Sequence, residues 1–363
     1  MGLEKEKKVE EIRKEIDGLD EKLVELLNDR AALAIKIGEE KSGEGKTIYD
    51  PSREKEILKK LTGRKNLFPE AGIKSVLDQV MIYSRTLQGN ISIAFLGPKN
   101  TFTHIAALKR FGGNAKHIAK QSIQEVFSSV EKGETNYGVI PVENSSQGTV
   151  NNTLDMFIYS DLKIAAEILL EVKHSLLSKY SLDEITKVYS RPIALAQCRD
   201  YLMENLPKAE LIEVSSTSKA AEMASIYHSS AAIASEQAAK ENELNVIARN
   251  IQDQADNVTR FIVISKKNNS NPTGKDKTSI MFSVRHEPGA LVNVLEALKK
   301  ENINMTKIES RPTRMKSWEY IFFVDVQGHE RDEKIRKALK ELEAKTSFLK
   351  VLGTYPEETE VMK

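Results

Sequence analysis

An apolar heptad seam near the N-terminus is the feature that most constrains how this chain can fold. Apolar residues recur there at alternating steps of three and four, as Val9, Ile12, Ile16, Leu19, Leu23, Leu26, Leu33 and Ile37. This spacing predicts one helix over residues 5–41, roughly 55 Å long at ~1.5 Å per residue. A domain of about ninety residues is narrower than that, so the seam must pack against something beyond its own domain.

Two shorter helices follow. Asp50-Pro51 is typical of an N-cap with proline at the first helical position, and Gly63 ends that helix. The next helix follows Pro69 and carries Ile73, Leu77, Val80 and Leu87 on one face. Residues 1–89 are therefore predicted to be an all-α domain, and the overlong first helix predicts an intertwined homodimer.

From residue 90 onward the pattern changes to alternating strands and helices. Strings such as ISIAFLG, YGVIPVENS and RFIVIS are apolar strands, separated by helical segments such as FTHIAALKRFG. Residues 90–266 are thus predicted to be an α/β domain with a mostly parallel sheet, long enough for two lobes with a cleft. A polar linker over 267–276 precedes a βαββαβ pattern over 277–363, which is the α+β ferredoxin-like order.

Composition excludes several classes of function. Lys plus Arg is 54 against 53 for Asp plus Glu, so no basic excess favours nucleic acid. No run of eighteen apolar residues could cross a bilayer, and the N-terminus lacks the apolar segment of a secretory signal. The single cysteine, Cys198, is expected to be a buried, inert thiol, and the six histidines lack metal-ligand spacing. We expect a cytoplasmic protein without metal or cofactor.

Polar residues interrupt the apolar helical faces of residues 1–89. Arg30 occupies a seam position between Leu26 and Leu33, where a buried guanidinium without an anion is costly. An interhelical salt bridge is one interpretation of Arg30, and a bound anion is the other. Each of the remaining polar residues alone is typical of solvated surface: Arg13, Lys41, Asp50, Arg53, Glu54, Ser84 and Gln88.

Together these eight positions resemble the active-site pattern of the helical, bacterial-type chorismate mutases. The resemblance implies a Claisen rearrangement of chorismate to prephenate in a homodimer, with Arg13 reaching into the partner's site. It implies that Arg30 binds a substrate carboxylate and that Glu54 binds the substrate hydroxyl. Lys41 and Gln88 are then donors to the ether oxygen, which gains negative charge as its bond to carbon breaks.

Five strings in the α/β domain place hydroxyl or amide residues at strand ends that precede helices, where backbone N–H groups can surround an anion. They are GPKNTFTHIAA, VIPVENSSQGTVNNTLDMF, SRPIALAQC, SSTSKAA and NVTRF. Together they resemble prephenate dehydratase. The resemblance implies two lobes like those of periplasmic binding proteins, and loss of water and carbon dioxide from prephenate to give phenylpyruvate.

The same resemblance implies roles for single residues. Thr259 is expected to assist departure of the ring hydroxyl, and Arg260 to bind a substrate carboxylate. Because a threonine hydroxyl is a weak acid, we expect it to donate a hydrogen bond in a relay with Glu143. Further substrate-binding candidates are Asn144, Ser145, Gln197, Thr217, Ser218 and Phe261. The chain departs from the family's more frequent residues at Asn100, Arg191 and Ile193.

The strings HEPGALVNVL and ESRP in the last domain resemble the ACT regulatory domain. A Pro-Gly pair alone is equally typical of a plain helix start. Small residues at such a start let a ligand approach backbone donors closely. The resemblance implies feedback inhibition by L-phenylalanine at a dimer interface, bound by Pro288, Gly289, Ala290, Leu291, Glu309, Ser310, Arg311 and Pro312.

The sequence therefore predicts an enzyme of phenylalanine biosynthesis with two activities and no cofactor. Two alternatives remain. A dehydratase acting on arogenate would keep the same catalytic strings. A ligand-sensing protein with a helical dimerising coil would lose Arg30, Lys41 or Thr259, and all three are present. The sequence leaves open whether the oligomer is a dimer or a tetramer, whether prephenate is channelled, and whether tyrosine also acts.

Overall fold

The computed structural model describes residues 2–44, 47–62, 67–254, 256–268, 270–285, 287–312 and 320–362. The predicted helix end at Gly63 and the first residue of the regulatory string, His286, lie outside the described residues. The chain divides into two compact units, one of residues 1–50 with 56–91 and one of residues 51–55 with 92–363. No described helix is both long enough and apolar enough to span a membrane.

The N-terminal part is helical, as predicted. Its described helices are α1 (Gly2–Glu44), α2 (Pro51–Thr62) and α3 (Glu70–Gln88). The 43-residue α1 confirms the single long helix and extends beyond both predicted ends. Within one chain the apolar seam is not covered, because side chains along it such as Leu19 and Leu26 are 63% and 64% exposed to solvent.

Strands and helices alternate through the second unit. Its strands are β1 (Ser92–Leu96), β2 (Lys116–Lys120), β3 (Tyr137–Asn144), β4 (Gly148–Thr149), β5 (Lys163–Glu171), β6 (Ser175–Ser178), β7 (Lys187–Ser190), β8 (Glu210–Glu213), β9 (Ser230–Ala234), β10 (Asn245–Ala248), β11 (Val258–Ser265), β12 (Asp276–Ser283), β13 (Met305–Pro312), β14 (Tyr320–Gln327), β15 (Phe348–Pro356) and β16 (Val361–Met362). Its helices are α4 (Phe102–Phe111), α5 (Ile123–Glu131), α6 (Asn151–Tyr159), α7 (Pro192–Gln197), α8 (Arg199–Asn205), α9 (Thr217–Ile226), α10 (Glu236–Glu241), α11 (Ala290–Lys300) and α12 (Glu333–Lys345).

Two of the sheets form the two lobes that the sequence predicts. The first has the order β16-β5-β11-β3-β1-β2 with β4 beside β3, and the second has the order β10-β6-β9-β7-β8. The expected mostly parallel sheet is confirmed in the first lobe, where β1, β2, β3, β5 and β16 run in one direction and β11 is antiparallel to both of its neighbours, β3 and β5. The physical reason is the path of the chain. Strand β5 leads out of the first lobe and β11 returns to it, so the two neighbours run in opposite directions.

The third sheet has the order β13-β14-β12-β15 and confirms the predicted βαββαβ pattern. Its two faces are buried in different ways. Ile280 and Val324 on one face pack with α11 and α12, whereas Met281 and Phe323 on the other face pack with first-lobe residues such as Ile164. The third sheet therefore lies between its own helices and the first lobe.

The polar segment expected to be a linker is held in place. Asn268 donates through Nδ2 to the backbone carbonyls of Ile164, at 3.1 Å, and Thr354, at 2.5 Å. These two residues belong to β5 and β15. A Cβ atom on Gly353 of β15 would overlap the carbonyl oxygen of Ile164, so the two strands approach backbone to backbone. The segment thus crosses a packed interface between the two sheets.

A charge cluster is buried in the same interface. Arg260 on β11 contacts Glu167 of β5 at 2.7 Å, Asp325 of β14 at 2.6 Å and the Tyr355 hydroxyl of β15 at 2.9 Å. Lys277 of β12 contacts Glu167 at 2.9 Å. Each charge meets an opposite charge in a water-poor environment, which offsets the cost of removing the cluster from water. We call these five side chains the Arg260 cluster.

Asp325→Ala should strongly destabilise the second unit, because it leaves Arg260 buried with one carboxylate fewer. Burial raises the pKa of Asp325, but the Arg260 guanidinium and the Ser279 hydroxyl hold it below its usual value. The lost stabilisation, about 3–5 kcal/mol, should therefore be present at neutral pH and fade as acidification protonates the carboxyl. Thermal unfolding at pH 7 and near pH 3 measures both effects.

Asp161→Ala is the control for this prediction. Asp161 pairs with Lys350 at 3.0 Å, yet its side chain is fully solvated at 103% exposure. We expect only a small loss of stability from this exposed pair, because solvent screens it. Equal losses from the two variants would mean that burial of the Arg260 cluster contributes nothing.

Candidate active sites

Four of the predicted mutase residues lie along the contact of α1 with α3. Arg30 on α1 donates through Nη1 to the Ser84 hydroxyl on α3. Lys41 follows eleven residues later, about three helical turns, so it shares the face of Arg30, and it donates to the Ile48 carbonyl at 3.0 Å. Gln88 ends α3, and its Oε1 atom is buried without a hydrogen bond from the described residues. Two cations and two neutral polar groups thus flank one helix contact.

Gly38 explains how Gln88 comes close to α1, and the sequence analysis did not single it out. A Cβ atom on Gly38 would overlap the backbone carbonyl of Gln88. Helix α3 can therefore approach α1 only where α1 carries no side chain. Gly38 lies one turn before Lys41, so the close contact sets the position of Gln88 relative to that cation. A glycine inside a long heptad pattern was the available signal.

The other predicted mutase residues lie elsewhere along the chain. Arg13 precedes Arg30 by seventeen residues, about 26 Å along α1, and pairs with Glu10 at 3.6 Å. It cannot reach the Arg30 region of its own chain. Asp50 precedes α2, and Arg53 and Glu54 lie in the first turn of that helix. Their substrate roles stay predictions.

The catalytic candidate of the α/β region, Thr259, faces Asn144 across the β11–β3 pair. Asn144 donates through Nδ2 to the Thr259 hydroxyl oxygen and to Asn257 Oδ1, both at 2.8 Å. Thr259 is 8% exposed, so this bond is shielded from bulk water. The threonine oxygen therefore accepts a hydrogen bond from the protein.

Gln197 joins this site from the second lobe. It ends α7, and its Nε2 donates to the Ser146 hydroxyl of the first lobe at 2.8 Å. Its Oε1 lies 2.9 Å from Nε2 of His174, a buried residue between β5 and β6 that the sequence analysis did not select. The sequence signal for His174 was a histidine in the short gap between two apolar strands. The structure thus brings Thr259, Asn144 and Gln197 into one hydrogen-bonded cleft.

The remaining predicted cleft residues serve the backbone or the core. The Ser145 hydroxyl donates to the Asp256 carbonyl at 2.9 Å and accepts from the Val258 amide at 3.0 Å, which ties two loops together. Thr217 begins α9 and is buried, and the buried Ser218 hydroxyl has no hydrogen bond from the described residues. Phe261 is 2% exposed within the first lobe. Substrate contacts for these residues stay predictions.

The structure does not bring Glu143 to Thr259. Glu143 is the cross-strand neighbour of Arg260, and neighbouring residues along a strand point to opposite faces of a sheet. Glu143 therefore lies behind the catalytic face, where it pairs with Lys307 of β13 at 2.9 Å. The relay from Thr259 to Glu143 is corrected on this ground. The Arg260 guanidinium likewise faces Glu167 and Asp325 of the Arg260 cluster instead of the cleft.

Cys198 lies next to Gln197 but is not a candidate nucleophile. It is fully buried, and burial together with the nearby Asp253 carboxylate raises the pKa of its thiol to about 12. The reactive thiolate form is therefore scarce at neutral pH. This geometry agrees with the inert thiol that the sequence predicts.

The first half of the regulatory motif lines a pocket of about 310 Å³. Gly289, Ala290 and Leu291 contribute to its wall at the start of α11, opposite Tyr320 and Phe322. Gly289 has φ +80°, in the left-handed region that favours glycine. Pro288 precedes it in the same turn. The pocket combines apolar walls with backbone groups at a helix N-terminus, which suits a small amino acid.

The ESRP motif on β13 points in two directions. Glu309 accepts a hydrogen bond from Thr149 at 2.9 Å, and Arg311 pairs with Asp155 at 3.1 Å. Together with Lys307, these side chains occupy the face of β13 toward the first lobe. Ser310 and Pro312 alternate with them and are exposed. One half of the motif is therefore exposed, and the other half contacts the segment that follows strand β3.

Comparison with known proteins gives the chain its family. Family models match as prephenate dehydratase over residues 93–269, chorismate mutase type II over 12–89 and ACT domain over 278–344. A bifunctional chorismate mutase/prephenate dehydratase from Aquifex aeolicus is 49% identical over 354 residues, which cover 96% of this chain and 98% of the relative. The chain belongs to the bifunctional chorismate mutase/prephenate dehydratase family. It is an enzyme with a mutase, a dehydratase and an ACT regulatory domain.

Solved structures share the fold of the dehydratase and ACT domains. The prephenate dehydratase of Arthrobacter aurescens in complex with L-Phe has a TM-score of 0.69 and 32% identity, covering 74% of this chain and 90% of that chain. A protein described as a novel type of quorum quenching acylase has a TM-score of 0.68 and 28% identity, covering 74% and 98%. Because proteins of this fold are described with different activities, the bifunctional assignment rests on the full-length relative and on the mutase domain.

Gly38→Ala should lower the mutase activity of this bifunctional enzyme. The added methyl group would displace the Gln88 backbone, and a shift of about 1 Å in a catalytic group can cost about 100-fold. Gly18→Ala on the same helix is the control, because a Cβ atom there meets nothing within 4 Å. That variant should stabilise α1 by up to about 1 kcal/mol and leave turnover unchanged. Chorismate consumption measures both, and equal rates would remove Gly38 from the site.

Proposed function

We propose that the α1–α3 contact is the mutase site and that it works by charge placement. Arg30 binds a substrate carboxylate, and Lys41 and Gln88 donate to the ether oxygen of chorismate. That oxygen gains negative charge as its bond to carbon breaks, so donors fixed around it stabilise the transition state more than the substrate. The supporting observation is an arginine in an apolar seam with Lys41 on the same face. Asp50, Arg53, Glu54 and Ser84 complete the substrate contacts.

The mutase site is proposed to be shared between two copies of the chain. The exposed seam of α1 supports this, because a second copy of the same helix would cover it with matching apolar residues. Arg13 lies too far from Arg30 to act in its own chain, and an antiparallel partner helix would bring it to the other copy's site. The homodimer is thus the smallest complete mutase.

The enzyme acts on small molecules in the cytoplasm, where the lone Cys198 stays reduced.

The dehydratase site is proposed to be the cleft around Thr259. As the bond between the ring and its carboxylate breaks, the electron pair moves into the ring and expels the ring hydroxyl. Carbon dioxide and water leave, and an aromatic ring forms. The oxygen departs as hydroxide, which a hydrogen bond from the Thr259 hydroxyl stabilises, and a proton from solvent converts it to water. The observation that carries this assignment is the Asn144 bond to the threonine oxygen, because it leaves the threonine proton for the substrate.

Feedback is proposed to begin with L-phenylalanine in the pocket beside Gly289. The A. aurescens structure, which contains L-Phe, supports an amino-acid effector for this fold. Inhibition requires that phenylalanine bind one arrangement of the protein more tightly than another. The contacts of Lys307, Glu309 and Arg311 with the first lobe connect the regulatory sheet to the segment after β3. A shift of β13 would therefore be felt at the catalytic strand.

The two activities should be lost separately. Lys41→Ala should reduce mutase turnover by about 10²- to 10³-fold, because it removes one fixed donor, and should spare turnover of added prephenate. Thr259→Ala should do the reverse, so that chorismate is consumed and prephenate accumulates. Assays with chorismate and with prephenate measure the two activities. A parallel assay with arogenate tests the alternative substrate of the dehydratase. A folded variant that loses both activities would contradict the assignment.

Phenylalanine should raise the melting temperature of the protein and lower its apparent affinity for prephenate. Gly289→Val should abolish both effects, since a branched residue is strained at φ +80° and shifts the turn at the pocket. Gly274→Val is the matched control, with a similar φ of +85° and open space around the position. Calorimetry follows binding. Undiminished phenylalanine binding by Gly289→Val would move the effector site elsewhere.

A further inference from the structure

A chain of hydrogen bonds connects His174 to Thr259 across the two lobes. His174 Nε2 lies 2.9 Å from Gln197 Oε1, and Gln197 Nε2 donates to Ser146 at 2.8 Å. The Ser146 hydroxyl donates to Asn144 Oδ1 at 2.7 Å, and Asn144 Nδ2 donates to Thr259 at 2.8 Å. Five side chains are therefore linked in series, and the last one is the proposed hydrogen-bond donor of the dehydratase.

Two backbone amides set the direction of the chain. Asn144 Oδ1 accepts from the backbone N–H groups of Ser146, at 3.0 Å, and Gln147, at 3.2 Å. Those groups can only donate, so the oxygen of the Asn144 amide must face them and its nitrogen must face Thr259. The Ser146 hydroxyl then gives its proton to the same Asn144 oxygen. Its own oxygen must accept from Gln197, which leaves the Gln197 oxygen facing His174.

The tautomer of His174 follows from this order. The Gln197 amide oxygen can only accept a hydrogen bond, so His174 Nε2 carries the proton. In the neutral ring, Nδ1 then carries a lone pair and no proton. Nδ1 is buried and has no hydrogen bond from the described residues. Burial lowers the pKa of the ring, although the bond to Gln197 opposes this, and the neutral form is favoured. Every donor in the chain therefore points toward Thr259, whose hydroxyl proton stays free among the described contacts.

We infer that His174 is a positioning residue of the dehydratase, which orients the Thr259 hydroxyl through Gln197, Ser146 and Asn144. The inference rests on the proposed role of Thr259 as hydrogen-bond donor to the departing oxygen. A hydroxyl whose oxygen accepts a hydrogen bond is polarised and donates more strongly, and aligned bonds reinforce one another. The chain thus supplies what a threonine hydroxyl lacks on its own.

The position of His174 makes this series of hydrogen bonds depend on the arrangement of the lobes. The His174 amide donates to Gln252 Oε1 at 3.0 Å, and its carbonyl accepts from the Ile251 amide at 2.9 Å. Residues 251 and 252 lie on the segment that returns to the first lobe. Phe102 of α4 packs edge-on against the ring at 5.6 Å. His174 is therefore fixed where the polypeptide crosses between the two lobes. From this position it orients Gln197 toward Ser146.

The test is a kinetic series in the full-length protein with prephenate as substrate. His174→Leu removes the donor and should lower kcat about five- to tenfold with KM within about twofold, which corresponds to one neutral hydrogen bond. His174→Gln places an amide N–H near the former Nε2 and should restore most of kcat. Ser146→Ala breaks the chain at an exposed residue, so it should fold normally and lower kcat similarly.

A double variant distinguishes orientation from general damage. His174→Leu combined with Ser146→Ala should be no slower than Ser146→Ala alone, because the chain is already broken. His117→Leu removes another histidine of the first lobe and should leave prephenate turnover unchanged. Mutase turnover should be normal in every variant.

Three results would overturn the inference: wild-type kcat in His174→Leu or Ser146→Ala, equal losses from His174→Leu and His174→Gln, or multiplied losses in the double variant. If His174→Leu does not fold, Ser146→Ala and His174→Gln decide by the same criteria. A wild-type protein that does not convert prephenate would instead refute the proposed function.

Discussion

The Arg260 cluster is the interaction on which the second unit depends. It joins β5 and β11 of the first lobe to β12, β14 and β15 of the regulatory sheet through buried charges. A buried guanidinium needs several partners, and Arg260 takes them from both sides of the interface. Because Arg260 follows Thr259 on one strand, its position also sets that of Thr259. The regulatory sheet therefore packs behind the strand that carries the proposed catalytic threonine.

The pleat of β3 and β11 gives neighbouring residues on these strands different surroundings. Asn144 and Thr259 point into the cleft, and their neighbours Glu143 and Arg260 point toward the regulatory sheet. Strand β13 repeats this division, with Glu309 facing the first lobe and Ser310 facing away. A displacement on either face must move the residues of the other, since adjacent residues share one rigid backbone.

Patterns of local periodicity predicted most of the fold. The heptad seam predicted α1, and the βαββαβ order predicted the third sheet, because each depends on residues close in sequence. The sequence predicted the mostly parallel sheet but not its reversed strand, since the direction of β11 depends on a chain that leaves the first lobe and returns more than eighty residues later. Segment 267–276 was predicted to be a linker because its residues are polar. The side chain of Asn268 instead donates hydrogen bonds to the backbone carbonyls of two strands.

For the active sites, the sequence by itself determined which residue types are present and in which strings they occur. It selected Thr259, Asn144 and Gln197 as candidates, because their motifs are local. Only the tertiary structure decided how they meet. Glu143 and Thr259 belong to neighbouring strands yet face opposite ways, and His174 reaches Thr259 only through residues from both lobes. Such relations depend on pairing and on hydrogen-bond direction, and these exist only once distant segments have packed together.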